Sequence, residues 1–391
     1  ATTEIGTLQL TFNAGNNGNP TPATGSALSY GDNSTIGATG RGTITNNGTN
    51  QLINQETTAG NLNYRFDDGK WRIEAGLSTS FSLTKRRYED AGIFYQTIGT
   101  NRNPIRISFF DIVSDRPGRI QVFDNANQPV DYNNIDNFRG TTTNNAQGKN
   151  WSNYDSGNLS LRRRLDFFPF PSSVQLGGSR RIQTVDLKPG SRNWTFNGPD
   201  GNPLASLAPY LMQVYKNQDS DFGFKNIPWL SPSRSWSAYQ ANPLLFIKTP
   251  AQLVAEENYR ITNSEHVAET VSSLYLQAEA SLFKSRLKIL TGVRYEKTLD
   301  EGRGSLFDPT AVFLRNANGA FVRDAAGRQI RKPEAGLAGS MDELRLTRQE
   351  RAAHANRTYD GYYPSLHLTY DLRENFLARA AYARTYGRPN F

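Results

Sequence analysis

Three histidines, His266, His354 and His367, are the residues best suited to acid–base or metal chemistry, and none has the spacing such chemistry needs. No HExxH pair sets two imidazoles on one helix face, and no P-loop or dinucleotide fingerprint occurs. The run Asn263-Ser264-Glu265-His266 brings a hydroxyl, a carboxylate and an imidazole close in sequence, but it falls in a loop without a partner. A hydrolytic site needs geometry as well as residue types. Cysteine is absent, which excludes thiolate metal sites, thiol catalysis and disulfides. The sequence therefore points to no enzyme, no metal and no cofactor.

What the chain offers instead is charge and aromatic surface. Arg72, Glu74, Glu279, Arg294, Glu296 and Arg379 fall on the polar side of alternating stretches. Trp229, Trp236 and Tyr239 lie in a long aromatic insertion. There they either stack on a sugar, chelate or macrocycle, as aromatic hot spots do, or pack within the loop. Lys85-Arg86-Arg87 and Arg162-Arg163-Arg164 are short basic clusters. The net charge of +8 comes from 44 Lys and Arg against 36 Asp and Glu. These residues are scattered, so they read as solvated loops and give no nucleic-acid surface.

The elements that position these groups are strands. Residues 71–83 alternate without a break: Trp71, Ile73, Ala75, Leu77, Thr79, Phe81 and Leu83 against Arg72, Glu74, Gly76, Ser78, Ser80 and Ser82. At ~3.3 Å per residue the run reaches roughly 40 Å, or about 28 Å along the normal when tilted near 45°, enough to cross hydrocarbon. Residues 363–389 repeat the pattern as a hairpin, with aromatics at the ends of the runs and small or aliphatic residues between. Aromatic rings favour the two interfaces of a bilayer. Mean hydropathy is −0.62 and no apolar run has the length of a membrane helix. A barrel strand shows lipid only every second residue, so that average does not exclude one.

The long spans number nine, around 1–12, 61–67, 71–83, 157–166, 174–185, 272–282, 287–297, 363–372 and 376–386. Short turns alternate with long insertions at 13–60, 84–156, 187–271 and 298–361. Capped helices are expected from Ala251 to Asn258 and from Met341 to His354. The fold class is all-β: a transmembrane antiparallel up-and-down barrel with long extracellular loops, residues 1–391 forming part of it. Nine strands in this up-and-down order leave two open edges, which cannot face lipid, so the chain is expected to be a piece of a larger barrel. It begins at Ala1 without Met or a signal segment, as maturation or truncation would leave it. On these registers Arg72, Glu74, Glu279, Arg294, Glu296 and Arg379 face the lumen. One conflict stands out, because Arg180 shares a face with Val174, Leu176 and Ile182. At mid-depth that would cost about 2–4 kcal/mol, which a bulge at Gly177-Gly178 or a different face assignment would relieve.

Two segments, Leu274–Thr298 and Tyr362–Phe391, resemble TonB-dependent outer-membrane receptors. The resemblance rests on Gly292-Val293-Arg294-Tyr295-Glu296, then Pro364-Ser365-Leu366, Arg379, Tyr382, Arg388-Pro389 and Phe391. It implies a barrel of about 22 strands around a plug, driven through TonB by an inner-membrane complex, in a Gram-negative outer membrane. The plug, the coupling box and the later strands are absent from this sequence. The implied function is binding and active import of a scarce solute, such as a siderophore, cobalamin or glycan. Lumen residues Arg72, Glu74, Glu279 and Arg379 would then line the plug, while Arg294 and Glu296 either line it or touch solute. Trp229, Trp236 and Tyr239 would capture solute, and Lys85–Arg87 would meet outer-membrane lipid and lipopolysaccharide phosphates. A passive porin and a secreted soluble glycan-binding β-protein are the rival readings.

Overall fold

Alternating side chains carry eight long segments into one antiparallel sheet, here called the wall. In the computed structural model, which describes residues 7–15, 29–114, 116–214 and 224–387, these are β5 (Ile53–Asp67), β6 (Trp71–Arg86), β11 (Gly148–Arg164), β12 (Ser172–Pro189), β15 (Glu265–Leu282), β16 (Leu287–Phe307), β17 (Arg348–Arg373) and β18 (Phe376–Ala383). Each pairs with its sequence neighbour in the order β18-β17-β16-β15-β12-β11-β6-β5, and the sheet is open at both edges. Turns at one end are tight. Asp67 and Asp68 carboxylates accept the backbone N–H groups of Gly69, Lys70 and Trp71, and Asn375 takes the left-handed conformation (φ 57°) between β17 and β18, as asparagine does readily in turns. The motif residues Arg388, Pro389 and Phe391 lie outside the described residues.

The opposite end carries a second body, the cap. Its larger sheet runs β1 (Leu8–Asn13), β4 (Thr43–Thr49), β7 (Gln96–Asn101), β10 (Phe138–Asn145), β13 (Arg192–Phe196) and β14 (Phe246–Ile247). A smaller one joins β2 (Ser29–Gly31), β3 (Ser34–Ile36), β8 (Ile105–Val113) and β9 (Arg116–Asp124). Helices α1 (Pro232–Ala241) and α2 (Pro250–Thr262) complete it. Three insertions thus share one buried core, centred on Phe94, Phe138, Trp194, Phe196, Tyr210, Leu230, Trp236 and Phe246.

Several expectations change. The first alternating segment belongs to the cap, so the wall has eight strands in place of nine. Six residues reach only about 20 Å, and Leu10 and Phe12 pack on the cap core. The insertion expected at 13–60 ends early, because β5 starts at Ile53 and pairs with Arg86. Polar β4 was hidden by composition: Asn46 is fully buried, and its side-chain amide donates to the Pro228 carbonyl at 2.7 Å. The helix expected to reach His354 is α3 (Met341–Thr347). It stops because β17 begins at Arg348, which pairs with Phe307.

Arg180 has a different resolution from either one expected. No register shift interrupts β12 against β11 or β15, and Arg180 lies opposite Gly157 and Ser272. In place of a bulge, Gly177 makes room for a ring, since a Cβ there would stand 2.6 Å from Tyr275. Arg180 does share the apolar face, and strand tilt sets its depth. The row containing Tyr295 runs through Leu274, Gly178 and Leu159 to Ala75. The aromatic border climbs across such rows, from Tyr382 on β18 through the neighbouring rings of Tyr295 and Tyr362 to Phe81 on β6, six positions beyond Ala75. Arg180, between them on β12, meets that border. Asp155 on β11 and the opposed Lys297 and Asp360 continue the same polar edge. At the border an Arg costs about 0–1 kcal/mol.

Candidate functional site

The polar face of the wall collects the charged residues that alternation had singled out. Arg72 and Arg162 are opposite each other, and Glu74, Ser160, Gly177, Tyr275, Arg294 and Tyr363 form the next row. Near the tight turns Arg72 pairs with Asp67 at 2.8 Å. Glu74 lies 3.7 Å from Arg65, and Glu279 takes the Arg162 guanidinium at 2.8 Å. Arg379 on β18 shares this face, opposite Thr369, and has no ion pair among the described residues.

Toward the cap end, Arg294 and Glu296 come together with tyrosines that sequence reasoning passed over. Glu296, 6% exposed, accepts the Arg294 guanidinium on one oxygen and the Tyr386 hydroxyl on the other at 2.6 Å. The Tyr386 ring stacks on Tyr363 with centroids 5.0 Å apart and meets Tyr359 edge-on at 6.4 Å. Glycine makes this possible at 361, where a Cβ would stand 2.6 Å from the Tyr363 hydroxyl. On the other side, Gln175 donates to the Tyr275 hydroxyl at 2.9 Å. A charged pair fixed among aromatic faces can hydrogen-bond and stack with a polar partner. Tyr363 was readable from its place in the alternation. Tyr386, beyond the end of β18, follows no period.

The aromatic candidates of the third insertion lie elsewhere. Trp236 is 6% exposed, its ring 5.0 Å from Phe94, and Tyr239 packs half-buried on the same cluster, 5.4 Å from Trp236. Trp229, 7% exposed, packs with Met212 and Ile227. Indoles enclosed in this way have no free face for a solute, which favours the packing alternative for both tryptophans.

Ion pairs tie the cap's own segments together. Arg192 bridges Glu89 at 2.6 Å and Glu256 at 2.9 Å, and Lys248 joins Glu256 at 2.6 Å while lying over Trp194. Burial works against the Arg192 charge, but the two carboxylates outweigh it and raise its pKa. On α2, the hydrogen bond from Arg260 holds the Glu257 carboxyl below its usual range. Contacts to the wall come from Arg260, which pairs with Glu350 of β17 at 2.6 Å, and from the run 263–266. Ser264 donates to Glu350 at 2.7 Å and accepts from Arg351, while His266 and Arg351 both hold Asp186. Ser264 is thus committed to Glu350, with no contact to His266 that would activate it.

Comparison with known proteins adds a family. The sequence model described as "TonB dependent receptor-like, beta-barrel" matches residues 106–391. Among curated proteins no relative matches. Similar solved structures include the ferric citrate transporter FecA in the unliganded form (9% identity, 90% of this chain, 39% of that one, TM-score 0.28). Others are BauA, the ferric preacinetobactin receptor from Acinetobacter baumannii (8%, 90%, 43%, 0.28), and the ferric-catecholate import receptor Fiu from E. coli K12 (9%, 90%, 46%, 0.31). The chain spans less than half the length of each.

Proposed function

This chain belongs to the TonB-dependent receptor β-barrel family, and from that premise we propose that it forms part of the wall and the extracellular cap of a receptor that imports a scarce solute across a bacterial outer membrane. Proteins of the family are outer-membrane transporters and not enzymes. The observation that carries the reading is the two-faced wall. Its apolar face leaves Leu62, Leu77, Leu159, Leu274 and Leu276 exposed in one band, which suits lipid. The opposite face is lined by paired charges, which suits a plug or a moving polar solute.

Within that reading, the cap end is extracellular and the tight turns are periplasmic. We assign Arg294, Glu296, Tyr363 and Tyr386 to contact with solute or plug, and Arg72, Glu74, Glu279 and Arg379 to the plug. Trp229 and Trp236 hold the cap together, and solute capture falls to other cap surface. The energy comes through TonB, acting on the receptor's plug. The solute class stays as broad as a siderophore, cobalamin, a glycan or a similar molecule.

Fractionating cells that express the full-length product tests the placement. It should be recovered with outer membranes, and recovery in the soluble pool would sink the reading. Growth on a limiting solute, with and without TonB, then separates active import from a porin. Uptake that persists without TonB favours the porin.

A further inference from the structure

Transport through the lumen makes no use of the outward side of β6, β11 and β12 at their cap ends. There Lys85, Lys149 and Lys188 stand directly opposite one another. They follow the row of Leu83, Trp151 and Asp186 by two positions, so they continue the apolar side of the wall. Neighbouring strands are about 4.8 Å apart, and like charges placed directly opposite destabilise a sheet. Among the described residues no carboxylate lies within ion-pair distance of any of the three. Two of them share an aromatic partner: the Lys149 and Lys188 ammonium groups lie 5.2 and 5.3 Å from the Trp151 ring. Such contacts orient the side chains without neutralising them.

The three lysines line a cleft of about 440 Å³ with Arg86, Arg87, Gln147, Gly148 and Arg260. Arg87 is taken by Asp90 at 2.7 Å. Glu350, the carboxylate lining the cleft, is bound by Arg260 and Ser264. A row of cations is thus held together with an open space before it and no counter-charge of its own. We propose that this cleft binds a phosphate-bearing group at the outer surface of the wall, with Lys85, Lys149 and Lys188 as its ligands. Lys85 is four positions beyond Phe81 on the aromatic border, or roughly 9 Å higher on a strand tilted near 45°. That is the level of phosphorylated headgroups, so the lipid source rests on the outer-membrane placement above. A soluble phosphate ester has the same chemistry.

The test uses the full-length protein in detergent, wild type against the triple variant K85Q/K149Q/K188Q. The probes are diphosphoryl lipid A, its dephosphorylated form and inositol hexakisphosphate. Wild type should retain diphosphoryl lipid A in native mass spectrometry and lose the dephosphorylated form, and the triple variant should bind about tenfold more weakly. Stabilisation of wild type by the hexakisphosphate alone would name a soluble ester as the source, and retention of the lipid alone would name a headgroup. Removing mutual repulsion should leave the melting temperature of the unliganded variant equal to or above wild type, so a folding failure is separable. Equal binding by both proteins, or binding of neither phosphorylated probe by folded wild type, would overturn the proposal. Recovery of the protein outside the outer membrane would remove the headgroup source and leave the hexakisphosphate arm to decide.

Discussion

The wall and the cap are built from the same apolar residue types and treat them in opposite ways. In the cap Phe94 is fully enclosed and Trp236 is 6% exposed, whereas in the wall Leu62 is 68% and Leu274 56% exposed. Burying one such side chain is worth about 1.5–3 kcal/mol. The cap gains that within the protein, from segments far apart in sequence. The wall's leucines gain it only if something outside the protein covers them, and one band of exposed leucines and tyrosines across eight strands is a surface shaped for lipid. Hydrophobicity alone does not distinguish the two regions. What separates them is whether the apolar positions point toward each other.

Breaking the cap core should therefore damage only the cap. Phe94 contacts the rings of Trp194, Trp236, Tyr239 and Phe246, and Phe94→Ala should cost about 3–5 kcal/mol. Hydrogen exchange on the membrane-inserted protein should rise across β7, β10 and α1 and stay unchanged in β15 to β17. Equal loss of protection in both regions would mean that they are one cooperative unit.

A charge placed on each region sharpens the contrast. Leu276→Arg, at the centre of the wall's apolar face, should destabilise the protein in bilayers by about 2–4 kcal/mol. Leu244→Arg in the cap starts from a comparably exposed leucine, 69% against 50%, and should change stability by less than about 0.5 kcal/mol. Denaturant titration in lipid vesicles reads both. Similar effects at the two sites would remove the case that the wall's apolar face meets lipid.

The wall was legible because its information is local. A period of two, read along 71–83 or 363–372, gives the strand and its faces, and registers follow from short turns. Those faces alone place Arg72, Glu74, Glu279, Arg294, Glu296 and Arg379 on one side. The cap was illegible for the converse reason. Ile44, Phe94 and Trp194 join one core from three insertions, and no pattern within one insertion announces the others. Buried Asn46 and Thr143 read as loop residues, because their burial depends on partners supplied by β7 and β13 or by the chain near Pro228. The same limit hid Tyr386, which reaches Glu296 from beyond the end of its strand.

Arg180 offers the finest division between the two regions, because it sits where the wall's apolar face stops. Counted along β12 alone, it falls among Leu176 and Ile182 and would charge the apolar face at depth. Counted across tilted strands, it lies level with Tyr295, Tyr362 and Phe81, beside Asp155 and the opposed Lys297 and Asp360. The two accounts differ in energy. If Arg180 were near mid-depth, Arg180→Leu would stabilise the protein in bilayers by about 2–4 kcal/mol, whereas at the border the change should stay within about 1 kcal/mol. A large gain in a vesicle-based titration would mean that the border does not climb with the strands, and the polar edge would then have to be drawn again. A small change, set beside a large loss from Leu276→Arg four positions nearer the tight turn on the neighbouring strand, would fix where lipid ends and the cap's surroundings begin.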